Sequence, residues 1–385
     1  MAEASGKLRK SLSHLTKGAF FGYVFKAFRA HLRPLAAVTD ATPLRRALDD
    51  LSHGRSLSAE TAGAAFDVLM QGDATPVETA ALLMGLRSKG ETPDEVAGAA
   101  GALRRAMVRV ELGGDRVVDT CGTGGGRVGT LNVSTAAAFV VAGAGVPVAK
   151  HGNRSYTSRS GSADVLEALG IDIGMTPSRA PEVFRAAGLV FLFAPTYHPA
   201  MRHVGPVRRE LGVATIMNLL GPLANPAGVS RQVIGVSDPH RAPVVAEALL
   251  RLGAEHALVL HADVGMDEIS PCGATEVWEV REGSVRRWQL RPEAYRLSCD
   301  ELEHLAGGEP AENAERIEGL LAGDGTSAVR CAVLLNAAAA LYVAGAAETF
   351  GSAVELADSA LGNGAAQAAL ERLRRAAPRA VSTSG

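Results

Sequence analysis

The sequence predicts an α/β fold in which a small all-helical domain is joined to a larger α/β domain with a central, mostly parallel sheet. Two observations predict this fold. Residues 42–108 have the pattern of short helices and contain two Thr-Pro-x-Glu capping boxes with proline at the first helical position. From about residue 113, short apolar strands alternate with helical segments, which is typical of parallel α/β units. A chain of 385 residues is long enough for two or three domains.

The predicted elements follow in order along the chain. The capping boxes at 75–78 and 92–95 each precede an apolar-periodic run. The α/β region then starts with a strand (RVVDT), a helix (NVSTAAAFVVAGAG), a second strand (VPVAKH) and a helix ended by Gly170 (SADVLEALG). Three later segments, LVFLFA, QVIGVS and HALVLHA, are predicted buried strands. Residues 199–226 are predicted to be mostly helical, and the last part of the chain to form two packed helices.

Composition limits the classes of partner. The net charge of −2 provides no general attraction for nucleic acid or for anionic membranes, so neither is expected as a partner. The longest apolar run, residues 136–149, is too short for a membrane span. The four cysteines are far apart in sequence and form no CxxC pair, so we expect neither a disulfide framework nor a zinc site, which fits a reducing cytoplasm.

The first 36 residues differ from the remainder, because they carry seven Lys or Arg residues against one Glu. One interpretation is a basic amphipathic helix that touches a membrane surface or a partner, and another is a targeting presequence. The simplest interpretation is a solvated extension, disordered or helical, or a misplaced start codon.

Five glycines lie between residues 122 and 129, directly after a predicted strand. Gly124 to Gly129 formally matches GxGxxG, but a dinucleotide site needs an acidic residue at the end of the next strand to hold the ribose. That strand ends in Lys150 and His151, and a cation there suits a phosphate. The GxxxxGK[ST] pattern is absent from this loop. Taken alone, the loop could also be a connection without a ligand.

Two neighbouring loops favour a polyphosphate site. Asn132, Ser134 and Thr135 open a helix whose N–H groups and dipole attract an anion. The following strand delivers a second polar group, from Lys150 onward, to the same edge of the sheet. So many donors suit a ligand with several phosphates. Asp267 and Glu268 follow a third strand; alone they suggest only an acidic turn, but beside a polyphosphate they suit Mg²⁺.

The segments GTGG, NVST, KHGNRSYTSRSGSAD, HPAMRHVGPVRRELG, NLLGPLANP and GMDE, in this order and spacing, resemble the anthranilate phosphoribosyltransferase family of tryptophan biosynthesis. The resemblance covers about residues 44–373, and KHGNR with VRRELG is specific. It implies a nucleoside-phosphorylase-like, phosphoribosyltransferase-like fold, a cytoplasmic homodimer and an active site in the interdomain cleft. The implied division is a helical domain of 42–108 with 199–226 packed on it, an α/β domain of 113–198 and 227–375, and a tail of 376–385.

The resemblance also implies the roles of individual residues. Phosphoribosyl pyrophosphate (PRPP) would be bound by Gly122, Gly125, Gly126, Thr130, Asn132, Val133, Ser134, Thr135, Lys150, His151, Gly152, Asn153, Arg154, Ser155, Tyr156, Thr157, Ser158 and Ser162. Anthranilate would contact Gly122, Asn153 and Arg208, and Mg²⁺ would contact Ser134, Asp267 and Glu268. Lys150 and Arg208 are the predicted catalytic residues.

One position departs from the family, which usually has Gly-Thr-Gly-Gly-Asp where this chain has Gly126. The backbone N–H remains but the carboxylate is absent, which leaves the magnesium dependence open. A pyrimidine nucleoside phosphorylase shares the implied fold, but the KHGNR loop and the VRRELG arginine argue against it. A non-catalytic relative that binds nucleic acid is supported only by the basic first 36 residues.

Overall fold

The structure is a computed structural model that describes residues 42–126, 128–155 and 159–379. The predictions for the basic extension 1–36, for Tyr156, Thr157 and Ser158, and for the last six residues of the tail therefore lie outside the described residues. No single helix among those described is long and apolar enough to cross a membrane, although the helix pair Pro310–Ala322 and Ser327–Val343, bent by 79°, passes by length and composition together.

The first described segment is a bundle of four helices. These are α1 (Pro43–Ser52), α2 (Ala59–Gln71), α3 (Pro76–Lys89) and α4 (Pro93–Ala106). Both predicted capping boxes are present, with Thr75 and Glu78 at the start of α3 and Thr92 and Glu95 at the start of α4. Burial of Leu82, Leu83 and similar side chains between these helices forms the core of the bundle.

The second region is built on a seven-stranded sheet. Its strands are β1 (Val118–Gly122), β2 (Val148–Gly152), β3 (Leu189–Phe193), β4 (Arg231–Gly235), β5 (His256–Ala262), β6 (Thr275–Arg281) and β7 (Ser284–Leu290). The order is β3-β2-β1-β4-β5-β6-β7; the first five strands are parallel, and β6 and β7 are antiparallel. The predicted fold class, a helical domain with a mostly parallel α/β domain, is confirmed.

Helices connect the strands and cover both faces of the sheet. They are α5 (Val133–Gly143), α6 (Ser162–Ala168), α7 (Ala180–Ala187), α8 (Ala194–Tyr197), α9 (Met201–Leu211), α10 (Met217–Leu223), α11 (Ala242–Arg251), α12 (Pro310–Ala322), α13 (Ser327–Val343), α14 (Phe350–Gly362) and α15 (Ala365–Ala376). On one face Val118 and Val233 pack in the core that contains α5 and α13. On the other face Ile234 and Val259 pack in the core that contains α11 and the bundle.

The bundle and the sheet region are connected in three ways. Helix α9 packs on α2 and α3, and α10 packs on α4, so that the segment 199–226 lies against the bundle. The chain leaving α4 also runs beside the ends of that segment, because Val108 donates its N–H to Tyr197 O (2.8 Å) and Val110 donates to Pro226 O (3.1 Å). A buried ion pair, Glu91 with Arg241 at 2.6 Å, joins the bundle to the start of α11.

The β6–β7 hairpin was not predicted from the sequence. Glu282 and Gly283, which connect the two strands, both have positive φ (51° and 73°). That conformation is typical of the two-residue type I′ hairpin turn, in which glycine is favoured at the second position. The available signal was a pair of short runs containing Val and Trp, EVWEV and VRRW, separated by a segment with the turn residue Gly283.

The two capping boxes provide a matched stability test. Glu95 has no exposed side-chain area and accepts hydrogen bonds from the N–H groups of Leu57 and Thr92 (both 2.8 Å) and from Lys89 Nζ (2.9 Å). The Glu78 side chain is partly exposed and serves mainly its own cap. We expect Glu95→Ala to lower the free energy of unfolding by about 3–5 kcal/mol, since it removes the acceptor of the Leu57 and Thr92 amides and the counter-ion of the mostly buried Lys89 ammonium.

Glu78→Ala, the control, should lower the free energy of unfolding by about 1 kcal/mol. Urea unfolding of the two variants measures the difference. Equal losses in the two variants would contradict the role given to the buried carboxylate.

Candidate functional site

The candidate site lies where the order of the sheet reverses. Strand β1 is flanked by β2, which follows it in the chain, and by β4, which comes much later. Connections leave β1 and β4 toward opposite sides at such a point, so a crevice opens at the carboxyl ends of the strands. Gly122 and Gly235 are register partners at those ends. The glycine loop therefore begins in this crevice.

The bare backbone of the glycine loop accommodates the carboxylate of Asp267. A Cβ atom at Gly122 would lie 2.8 Å from Asp267 Oδ2, and one at Gly126 would lie 2.9 Å from Asp267 Oδ1. Between them Gly124, at φ +67°, donates its N–H to Asp267 Oδ2 at 3.1 Å. The loop, which is predicted to bind a phosphate, thus donates to a carboxyl group of the same protein, and its binding of a phosphate stays a prediction.

Gly235 is a requirement that sequence reasoning missed. A Cβ atom there would lie 1.5 Å from the backbone oxygen of Asp267, so the acidic segment rests directly on the end of β4. Only glycine fits this approach. A glycine at the end of a buried, β-branched strand was the signal that could have identified the position.

The neighbouring Glu268 carboxylate lies at the N-terminus of α5. It accepts hydrogen bonds from the N–H of Ser134 (3.1 Å) and from Thr130 Oγ1 (2.9 Å). Burial and the nearby Asp267 charge raise the pKa of Glu268 to about 8, and burial also raises the pKa of Asp267. The helix N-terminus, predicted to attract a phosphate, is thus also occupied by an internal carboxylate.

The acidic pair fits a magnesium site. A cavity of about 10 Å³, roughly the space of one water molecule, is lined by Ser134, Asp267 and Glu268 among others. Their oxygens are the hard donors that Mg²⁺ prefers, and a cation would stabilise the ionised forms that burial disfavours in both side chains. No cluster of three or more His, Cys, Asp or Glu side chains suited to a metal occurs among the described residues. Two carboxylates match a Mg²⁺ ion that shares its remaining ligands with substrate phosphates and water.

Lys150 reaches this cluster from below the surface. It is only 3% exposed, and its Nζ donates to the backbone oxygen of Thr120 and, at 3.3 Å, to Ser134 Oγ. Burial lowers the pKa of Lys150, while Asp119, Cys121 and Glu268 oppose that shift. Lys150 therefore places its ammonium group in contact with Ser134 and near the carboxyl groups of Asp119 and Glu268.

Asp119 is a second residue that sequence reasoning missed. Its fully buried carboxylate accepts hydrogen bonds from His151 N (3.1 Å) and from Asn225 Nδ2 (2.8 Å), and Gln232 lies at 3.5 Å. Asn225 Nδ2 also donates to Ala149 O (2.8 Å). Asp119 thus fastens β1 to the end of β2 and to the last residues of the 199–226 segment. An acidic residue inside a buried strand was the available signal.

The other predicted PRPP residues fall into three groups. Asn132 and Ser162 connect loops, because Asn132 Nδ2 donates to Ser160 O (3.1 Å) and Ser162 Oγ donates to Asn153 O (3.2 Å). Arg154 is exposed and forms ion pairs with Asp164 (2.7 Å) and Glu167 (2.6 Å), beside the loop. The remainder have varied environments. Val133 is buried, and Thr135 has a buried Oγ1 without a hydrogen-bond partner among the described residues. Gly152 and Ser155 are partly exposed, and Gly125 is exposed.

Arg208 lies on helix α9, a different element from those that carry the acidic pair and Lys150. It is half-buried in the last turn of α9, the helix that packs on α2 and α3. The predicted acceptor residue Asn153 lies on the sheet side, directly after β2. Arg208 is therefore carried by the segment that packs on the bundle, and Asn153 by the sheet region.

Two buried histidines connect the sheet to the 199–226 segment. The Nε2 atoms of His151 and His198 are 3.2 Å apart, and His151 Nδ1 lies 3.2 Å from Gly221 O. Burial lowers the pKa of His151 to about 3 and that of His198 to about 4. Both rings are therefore neutral at physiological pH.

These pKa values predict a loss of stability in acid. In the unfolded chain each histidine binds a proton below about pH 6.5, whereas in the folded protein both stay neutral until about pH 4. Their contribution is complete above pH 6.5, and each histidine removes about 1.4 kcal/mol per pH unit as the pH falls toward 4. Urea unfolding between pH 5 and 6.5 should show a slope reduced by about one proton in His198→Gln, and an unchanged slope in the exposed-site control His240→Gln. Identical slopes in wild type and His198→Gln would refute the burial of a neutral ring.

Profiles of known families match both regions of the chain. The helical bundle domain of a glycosyl transferase family matches residues 45–107, and the a/b domain of that family matches residues 114–367. The anthranilate phosphoribosyltransferase of Rubrobacter xylanophilus is 50% identical over 336 residues, which cover 87% of this chain and 98% of the relative. That of Symbiobacterium thermophilum is 47% identical and covers 86% of this chain and 97% of its own length.

Solved structures give the same result. Anthranilate phosphoribosyltransferase from Thermus thermophilus superposes with a TM-score of 0.81 at 44% identity, over 86% of this chain and 98% of that one. The Saccharomyces cerevisiae enzyme in complex with PRPP and Mg superposes with a TM-score of 0.79 at 29% identity, over 86% and 97% of the two chains. The yeast enzyme in complex with 4-fluoroanthranilate gives 0.77 at 28%, with the same coverage. The chain belongs to the anthranilate phosphoribosyltransferase family.

Proposed function

We propose that this protein transfers the phosphoribosyl group of PRPP to the amine of anthranilate, giving N-(5-phosphoribosyl)anthranilate and pyrophosphate, in the biosynthesis of L-tryptophan. The observation that carries the proposal is the meeting of the glycine loop, the N-terminus of α5 and the acidic pair at one crevice. The family relationship and the PRPP and 4-fluoroanthranilate complexes of the yeast relative support the choice of substrates.

The pyrophosphate end of PRPP would bind at the donors that the acidic pair now uses. The N–H groups of Gly124 and Ser134 point to carboxylate oxygens, and phosphate oxygens accept the same hydrogen bonds. Asp267, Glu268 and Ser134 Oγ would hold Mg²⁺, which supplies positive charge beside the leaving pyrophosphate. At Gly126, an aspartate like that of the family would place a third carboxylate beside Asp267. We therefore propose that the activity of this protein depends on the magnesium concentration in a different way from that of relatives that have the aspartate.

The remaining chemistry is electrostatic stabilisation and positioning. The buried charge of Lys150 stabilises the anion that departs, and the cleft excludes water as charge develops on the sugar. Arg208, with Asn153 and the backbone of Gly122, would hold anthranilate, because a guanidinium matches a planar carboxylate. An aromatic amine is mostly unprotonated at neutral pH, so its alignment behind the sugar carbon supplies the rest without a strong base.

The assembly and the setting follow from the same relationship. We propose a homodimer in the cytoplasm, with a helical domain of residues 42–108 and 199–226 and an α/β domain of residues 113–198 and 227–375. We also propose that the remaining residues predicted to contact PRPP, from Thr130 to Ser162, bind it here.

The direct test is the loss of anthranilate fluorescence on mixing purified protein, PRPP and Mg²⁺. We expect loss that requires all three components. Arg208→Ala should raise the KM for anthranilate at least tenfold with little change in the KM for PRPP, since it removes a charge-assisted contact worth about 1.5–3 kcal/mol. Arg209→Ala, the exposed neighbour, is the matched control. No fluorescence loss at any magnesium concentration, with folded protein, would overturn the proposed reaction.

The contact between Gly235 and the acidic segment gives a second test of the site. Gly235→Ala should displace Asp267 and Glu268, because its Cβ would overlap the Asp267 backbone oxygen. We expect the apparent magnesium affinity to fall at least tenfold. Gly129→Ala is the control, since nothing lies within 4 Å of its added Cβ. Titration of PRPP-dependent turnover with Mg²⁺ measures both variants. Equal magnesium requirements in the two variants would show that the acidic segment does not take part in metal binding.

A further inference from the structure

Two cysteines that are distant in sequence are in contact beside the acidic segment. The Sγ atoms of Cys272 and Cys299 are 2.7 Å apart, and both residues are partly exposed. The backbone holds them there, because Cys299 donates its N–H to Pro271 O at 2.9 Å and Cys272 donates its N–H to Ser270 Oγ at 3.0 Å. Their wide spacing in the sequence gave no reason to expect this pair.

We propose that Cys272 and Cys299 are a redox-modification site that closes reversibly to an intramolecular disulfide. The oxidant is a low-molecular-weight disulfide such as oxidised glutathione. The Cys299 thiolate attacks one of its sulfurs and releases one small thiol, leaving a mixed disulfide. The Cys272 sulfur, after losing its proton, attacks the protein sulfur of that intermediate and releases the second small thiol. Two protein thiols and one small disulfide thus become one protein disulfide and two small thiols.

The surroundings determine when the bond forms. Burial and the neighbouring Cys299 raise the pKa of Cys272 to about 12, so its thiolate is scarce at neutral pH and closure is faster in alkaline solution. In a reducing cytoplasm such a bond is transient and follows oxidative conditions. The pair is therefore a dithiol at rest.

The bond would stabilise the frame of the site. It closes a loop that contains the β6–β7 hairpin and joins the end of the acidic segment to residues 299–307. That stretch in turn pairs with the glycine loop, since Leu131 donates its N–H to Leu305 O (2.8 Å) and Gly307 donates to Gly129 O (2.9 Å). Because the sulfurs already touch, closure needs only a small movement of the side chains.

The test uses the full chain, incubated at about pH 8.5 with excess oxidised glutathione and then freed of it. We expect two of the four thiols to be lost, a peptide map linking residues 272 and 299, and recovery of both thiols with dithiothreitol. The midpoint of thermal unfolding of the oxidised protein should rise by about 5–10 °C.

Two variants serve as controls. Cys299→Ser should show no intramolecular bond and no rise in the midpoint, whereas Cys331→Ser, which alters the buried neighbouring cysteine, should still form the bond. Retention of all four thiols, stable glutathione adducts at residues 272 and 299, or a bond to Cys331 would each overturn the proposal. The peptide map of the unaltered chain decides the matter even where a variant does not fold.

Discussion

The candidate site depends on one interaction, the contact of the Asp267–Glu268 carboxylates with bare backbone. The N–H groups of Gly124 and Ser134 each donate to one of these carboxylates, so the glycine loop and the start of α5 are both bonded to the acidic segment. Gly122 and Gly235 lack side chains where the acidic segment must approach. The side chains of Asp267 and Glu268 therefore hold the strand ends, the glycine loop and the start of α5 in place. A phosphate ligand would have to replace them as the acceptor of these hydrogen bonds.

This arrangement concentrates charge where the protein excludes water. Asp119 and Lys150 are buried and the acidic pair is partly buried, and in each case burial shifts the pKa toward the neutral form by more than the neighbouring groups shift it back. A buried, partly compensated charge is costly to the fold, and binding of a cation or of a phosphate with its counterion lowers that cost. A ligand that binds here would therefore recover part of the free energy that burial of these charges costs.

Much of the fold was predictable because local patterns and tertiary structure agree. The capping boxes of α3 and α4 and the first parallel strands follow directly from composition and periodicity. The convergence of two loops on one edge follows from parallel pairing of β1 with β2. By contrast, Asp119 and Gly235 act through partners more than thirty residues away, so local patterns mark the two positions as unusual without revealing their contacts. The contact of Cys272 with Cys299 has the same origin, because the hairpin between them was not predicted.

The hairpin also determines how the sheet ends. Strand β7 is an edge of the described sheet, and it carries two adjacent exposed arginines, Arg286 and Arg287. An edge with cations resists pairing with a strand of another molecule, because like charges would face each other across the new ladder. Two copies of this protein are thus discouraged from joining their sheets through β7. The sheet is thus protected from intermolecular extension on this side.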